Sequence, residues 1–456
     1  MGASKACMLT LTEAAQRIAA GILSPVELTE SCLAIIERLE PMVKAWVTLD
    51  RPGAMLQARA LAREARDGRL RGPLHGIPVG VKDIFYTAGM LTTGGHAGMA
   101  QFVPDYDAAV VERLKRAGAI ILGKTTTTEF AMLAPTPTCN PWNVEHTPGG
   151  SSSGSGAAVA ARMCPAAIGS QTGGSTLRPS AYCGAVGLKP THGRVSLYGM
   201  IPLVESTDHP GIIAREVRDL ARVLQAVAGY DPRDHMSADV AVADYISATE
   251  YGDGQPRRIA LMGGEFRDNA SDDMRAGVRA AAAAFAQADT RVDEIEPPES
   301  FALIGKSFFT MLTSEAAAYH QEAFDKRPEA FDPKTRELIE RGLKVDASKY
   351  IRARQAQRRF KSDIAKLFVT YDAILVPTAP APAPHGLDST GDASFNSPWS
   401  MTGNPAVALP CGVNADGLPL SIQLVGAAFA EARLLAIARW CERQLRFNDA
   451  PAMVKG

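Results

Sequence analysis

Two short stretches of this chain combine serine and glycine in a way that suits nucleophilic chemistry. TPGGSSSGSG (147–156) runs directly into AAVAA, and GSQTGGSTLRPS (169–180) follows the apolar run AAIG. A glycine-rich turn feeding a helix N-terminus gathers backbone N–H groups and the positive end of the helix dipole at one point, which favours negative charge there. In the second stretch Gly173 and Gly174 let the chain approach a ligand closely, and Ser175 can be presented on the turn beside neighbouring N–H groups. That is the arrangement of a nucleophile next to an oxyanion hole. A serine nucleophile needs a base, and none of the 8 histidines stands in a recognisable relation to it. Lys82, in GIPVGVKDIF (76–85), is the alternative, because the apolar run before it would desolvate its ammonium and favour the neutral amine. The competing role for Lys82 is a strand-end cation in a surface ion pair with Asp83.

Other chemistries match in letters but not in context. GAIILGKT (118–125) satisfies the P-loop expression, yet in a P-loop the residues between the glycines wrap phosphate, whereas Ala-Ile-Ile-Leu want to be a buried strand. On this reading Lys124 follows the strand. GSSSG (150–154) fits a nucleophile elbow with Ser152 attacking, but an elbow needs an apolar strand before it, and NPWNVEHTPG (140–149) carries two prolines instead. A flexible linker is also unsuitable, since the stretch leads straight into small residues that must pack closely. Arg178, three residues past Ser175, is either a structural cation bonded to loop carbonyls or a clamp for a substrate carboxylate.

These residues must be held by an alternating series of helices and strands. Ser24-Pro25-Val26-Glu27 is a capping box opening a helix to about Leu39, and further helices are predicted over 54–69, 108–117, from about 156, 217–229, 271–288, across most of 310–365 and 430–445. GIPVGVKDIF (76–85) reads as a short buried strand running out into a loop at Lys82, and further strands are predicted at 119–122, 166–169, 257–263, 373–378, 406–412 and 420–426. Strands separated by helices imply an α/β fold with a sheet covered on both faces. TAPAPAPHG (378–386) reads as a rigid surface loop.

The composition narrows the function. With 456 residues, 46% hydrophobic content and a net charge of −1, the chain can bury a large core and has no basic block suited to nucleic acid. No run of 18 apolar residues occurs, and the start MGASKACMLT lacks a signal-like core, with Ala6 where a myristoylation pattern needs Ser or Thr. The 7 cysteines include no C-x-x-C, which fits buried thiols in a reducing cytoplasm. The scattered histidines give no metal-ligand pattern.

Together, GIPVGVKDIF, TPGGSSSGSGAAVAA and GSQTGGSTLRPSAYCGAVGLKPTHGRVS resemble the amidase signature family, serine amide hydrolases with a Ser-cisSer-Lys triad. The likeness runs from about 72 to 231, including ESTDHPGIIAR (205–215), and returns at MTGNPAVALPCG (401–412) and GLPLSIQLVG (417–426). It implies a single-domain α/β/α sandwich with a large mixed central sheet spanning 1–456, comprising an N-terminal helical segment (about 9–70), a signature core (about 72–231) and a variable helical region (about 300–370) that contributes to the pocket roof. It also implies Ser175 as nucleophile, Ser151 as bridging serine after a cis peptide from Gly150, and Lys82 as base. The N–H groups of Thr172, Gly173, Gly174 and Ser175 would form the oxyanion hole. Many members have Asp where Gln171 stands, Gly where Ser153 stands, and arginine two rather than three residues after the nucleophile. In these respects the sequence is similar to malonamidase-like small-amide hydrolases, and Gln171, Ser153 and Arg178 become candidate substrate contacts. The expected reaction is hydrolysis of a small carboxylic amide through an acyl-enzyme, with no cofactor and no metal. The expected partner is the small-molecule substrate, without nucleic acid or membrane and with a homodimer left open. The alternatives are an inactive binding protein on the same fold and a glutamyl-tRNA amidotransferase A-type subunit.

Overall fold

The computed structural model describes residues 3–455, so Met1 and Gly2, which enter the reading of the chain's start, lie outside the described residues. Eleven strands form one sheet: β1 Trp46–Leu49, β2 Pro78–Lys82, β3 Ile120–Thr125, β4 Ala166–Gln171, β5 Val186–Lys189, β6 His209–Ala214, β7 Arg258–Met262, β8 Arg291–Ile295, β9 Ala373–Pro377, β10 Ala406–Val413 and β11 Pro419–Val425. Their order is β1-β3-β2-β4-β6-β5-β10-β11-β9-β7-β8. β2 runs parallel to β3 and β4, and β7 runs parallel to β8 and β9, while the remaining pairs are antiparallel. The sheet is therefore mixed. Every residue of β2 to β6, β9 and β11 is buried, which requires cover on both faces, whereas the edge strands β1 and β8 remain partly open.

Local chemistry explains the elements that hold the serines. The helix Pro25–Val43 opens as predicted: Ser24 Oγ accepts from Val26 N–H at 3.2 Å, and Glu27 Oε2 accepts from Ser24 N–H at 2.9 Å. The small-residue helix spans Ser153–Ala160, beginning before the predicted position, and all its residues are buried. Its lack of bulk lets the helix backbone approach the strand ends. A Cβ on Gly154 would lie 2.2 Å from Ala45 O and 2.3 Å from Thr126 N, so only glycine fits.

Several expectations need correction. β3 continues through Thr125, so Lys124 lies within the strand rather than after it. The strands β1, β5, β6 and β8 and the helix Leu177–Tyr182 lie outside the predicted elements: β1 has only 4 residues, and the others are short and carry glycine, proline or charged residues that blur their period. The proline-rich loop is not wholly superficial, since Ala379 and Ala383 pack against Ala181 and Tyr182. Helices Ile304–Lys326, Pro333–Gly342 and Ala347–Leu367 fill the region expected to be helical. Among the described residues no helix is long and apolar enough to cross a membrane. All 7 cysteines are free, and burial pushes the Cys164 and Cys411 thiols up to about 12.

The close approach at Gly154 sets a stability test. Gly154→Ala should destabilise the protein by about 2–3 kcal/mol through overpacking, read as a lower urea midpoint at unchanged m-value.

Candidate active site

Parallel pairing of β2 with β4 sets Val81 beside Ile168, which brings the end of β2 alongside Ser170 near the end of β4. Lys82, the last residue of β2, places Nζ 2.6 Å from Ser151 Oγ and 2.8 Å from Ser170 Oγ. The side chain is fully buried and makes no carboxylate contact among the described residues, and burial holds its pKa well below the ordinary lysine value, opposed by the charge of Asp208. The competing role, a surface ion pair with Asp83, is not what the structure shows. Asp83 is itself buried, accepts from Thr93 N–H at 3.0 Å and Thr93 Oγ1 at 2.5 Å, and lies 3.7 Å from Lys124.

Among the described residues three lysines are buried, and their partners separate them. Lys124, pushed down to about 8 by burial, donates to Phe85 O and Thr92 Oγ1 and keeps Asp83 nearby. Lys189, pushed down to about 7 by burial, donates to the carbonyls of Pro190 and Asn404. Carbonyls only accept. Among the described residues Lys82 instead meets two hydroxyls and no carbonyl or carboxylate, and hydroxyls can donate to the lone pair of a neutral amine.

The two serine loops are tied to each other. The Gly150–Ser151 peptide is cis, and Ser152 N–H donates to the Ser175 carbonyl at 3.2 Å. Ser152 Oγ is occupied: it accepts from Ser170 N–H at 3.1 Å and donates to Ser170 O at 3.2 Å. Ser175 is more accessible than its neighbours, 8% exposed against 1% for Ser151 and 0% for Ser152, and lines a cavity of about 210 Å³. Thr172, Gly173 and Gly174 line the same cavity. None of the N–H groups of Thr172, Gly173, Gly174 and Ser175 meets an acceptor among the described residues. Four neighbouring donors beside a serine hydroxyl can receive a developing oxyanion.

The remaining candidates belong to the frame of these loops. Gln171 Oε1 accepts from Thr176 and Leu177 N–H at 3.0 Å each, and its Nε2 donates to Ser400 Oγ at 3.3 Å. Ser153 Oγ donates to Gly149 O at 2.7 Å. Arg178 borders the cavity, but its guanidinium donates to Gly150 O at 2.6 Å, Gly391 O at 2.7 Å and Thr390 Oγ1 at 3.1 Å. It thereby clamps the residue before Ser151.

Ser170 and Asp208 escaped the sequence reading. Ser170 sits inside the second glycine cluster, and only the strand pairing shows that it faces Lys82. Asp208 accepts from Thr172 Oγ1 at 2.5 Å and from Leu203 and Val204 N–H at 2.8 and 3.1 Å, and burial pushes its carboxyl up to about 6. Phe308, Leu312 and Leu338, from two of the helices after residue 300, line the same cavity.

Comparison with known proteins places this fold among amide-hydrolysing enzymes. A model of the Amidase family matches residues 27–435, and the chain belongs to that family. The chain is 38% identical to the A-type component of the glutamyl-tRNA(Gln) amidotransferase of Roseiflexus castenholzii, over 94% of each chain. The native peptide amidase of Stenotrophomonas maltophilia superimposes with a TM-score of 0.85 at 31% identity, covering 97% of this chain and 98% of that one. A 6-aminohexanoate cyclic dimer hydrolase does so with a TM-score of 0.87 at 26% identity, covering 98% and 99%.

The bonds of Arg178 make a kinetic prediction. Arg178→Lys removes the fork that holds Gly150 O and Gly391 O together, so kcat should fall about tenfold or more on acidic and neutral amides alike. A rise in KM confined to acidic amides would instead assign Arg178 to a substrate carboxylate.

Proposed function

We propose that the chain hydrolyses a small carboxylic amide through a serine acyl-enzyme, with Ser175 as nucleophile, Ser151 as proton relay and Lys82 as base. One observation carries the reading. A buried lysine with no carboxylate contact has its Nζ 2.6 Å from the hydroxyl of a serine whose neighbour is bonded to the Ser175 backbone. Neutral Lys82 takes the Ser151 proton as Ser151 takes that of Ser175, and Ser175 Oγ bonds to the amide carbonyl carbon. The carbonyl oxygen becomes an oxyanion facing the N–H groups of Thr172 to Ser175. Collapse breaks the C–N bond, the amine leaves with the relayed proton, and water enters by the same route to release the acid. Ser170 fixes the lysine amine from its other side.

The size of the cavity, about 210 Å³ and lined in part by apolar helical residues, favours a small substrate. With every strand in one sheet, we infer that the chain acts as one domain. A second reading is supported by the amidotransferase relative, which by name is one component of a larger enzyme: the chain would then release ammonia for a partner's reaction. Ammonia release from free amides by the purified chain alone separates the two, because a protein of that kind would depend on its partner for substantial turnover.

The mechanism is tested by labelling and kinetics. Ser175→Ala and Lys82→Ala should each lower kcat/KM on the order of 10³-fold or more, and Ser152→Ala much less. A fluorophosphonate should label the unmodified enzyme on Ser175, and labelling of Ser175→Ala on Ser152 would restore the elbow. Since the base is the deprotonated form and burial lowers the Lys82 pKa, activity should climb with pH through a value below that of free lysine. A rate that falls over that range would exclude Lys82 as the base.

A further inference from the structure

A second cavity, of about 460 Å³, lies at the other ends of the two helices that leave the serine loops. Ala160 and Arg162 border it at and just past the end of the helix Ser153–Ala160, and Gly184 and Ala185 just past Leu177–Tyr182. Its walls carry five arginines, Arg162, Arg215, Arg439, Arg443 and Arg446, and three carboxylates, Glu216, Glu442 and Asp449.

Among the described residues the wall's carboxylates pair with only one of these cations, Arg439. Glu442 and Glu216 lie 2.6 and 3.3 Å from Arg439, and both have further partners in Val217 N–H and Arg218. Arg215 donates to the carbonyls of Cys7 and Leu9. Arg443 reaches only Arg439 O, at 3.5 Å, and the Arg446 guanidinium has no acceptor among the described residues. The Arg162 guanidinium makes no hydrogen bond or ion pair among the described residues, and the Nε atoms of Arg162 and Arg215 are buried without acceptors. Among the described residues four guanidinium groups thus border one cavity without a carboxylate in ion-pair contact, although the charge of buried Asp219 acts on Arg162 and Arg215. Burial, reinforced by Arg215 and opposed by Cys7 and Asp219, pushes the Arg162 pKa down to about 9. Arg162 stands past the negative end of the helix Ser153–Ala160, and Arg443 and Arg446 stand at that of the helix Glu431–Leu445, positions that favour a cation yet leave most of these guanidinium donors without a partner.

We propose that this cavity binds a small phosphorylated anion carrying at least two negative charges, held by Arg162, Arg215, Arg443 and Arg446. Guanidinium forks match phosphate oxygens in pairs, and several unpaired forks favour a polyanion over a single carboxylate. The volume exceeds that of one phosphate group, and Phe447, Leu409 and Pro410 supply an apolar wall for an organic portion. The proposal is independent of the amide-hydrolase reading.

The test is calorimetric titration of the full chain with pyrophosphate and, separately, ADP at low ionic strength. Pyrophosphate should bind with a Kd below about 1 mM that weakens as salt rises. Arg162→Gln combined with Arg443→Gln should weaken it about tenfold or more, with melting temperature and amide hydrolysis unchanged. Tighter binding of ADP would identify a nucleotide-like phosphate and equal binding a free polyphosphate, and both uphold the site. Absence of binding, or the same Kd in the double variant, overturns it. If the double variant melts early, Arg443→Gln at its exposed helical position decides, and an unchanged Kd there also overturns the proposal.

Discussion

An amine buried among hydroxyls, without a carboxylate, is the constraint on which the centre of this molecule depends. Taking a charged ammonium out of water is costly unless it is paired, so a lysine in this position is driven toward its neutral form. Lys82 is kept there by the strand that carries it: β2 is flanked by parallel strands and buried along its whole length, and Nζ emerges beside the two serine hydroxyls. Asp83 follows immediately, yet its charge is drawn away to Thr93 and toward Lys124. Two adjacent residues of opposite charge therefore serve separate networks.

Close packing supports that arrangement. The helix Ser153–Ala160 can lie against the strand ends because serine, glycine and alanine leave its backbone accessible to neighbours. Ser155 Oγ lies 2.7 Å from Thr125 Oγ1 and donates to Ile168 O at 3.0 Å, joining the helix to β3 and β4. Ser152 stitches the helix start to Ser170. A stretch rich in serine thus uses most of its hydroxyls for construction, leaving Ser151 to meet the lysine.

The glycine loop is shaped by contacts as much as by its own freedom. A Cβ on Gly173 would touch Phe308 at 3.0 Å, and one on Gly174 would lie 2.6 Å from Asn396 Oδ1. Neither glycine has a positive φ. They are needed because other residues press on the loop, while its N–H groups remain turned away from internal acceptors. The helices after residue 300 meet the loop here, so a region with no legible motif contributes to the walls around Ser175.

By itself the sequence determined the class of the fold and the main chemical groups. The capping box at Ser24, the apolar run before Lys82, the two serine and glycine clusters and the alternation of helices and strands are local signals, carried by residues near one another in the chain. Tertiary structure decided the rest. It extended β3 through Lys124, placed Ser170 against Lys82, turned Gln171 and Ser153 inward to their own loops and fastened Arg178 to Gly150 and Gly391. It also assembled arginines from 162 to 446 around one cavity. The physical reason is range: propensity and periodicity act over a few residues, whereas burial, strand register and the choice of hydrogen-bond partner depend on segments hundreds of residues apart.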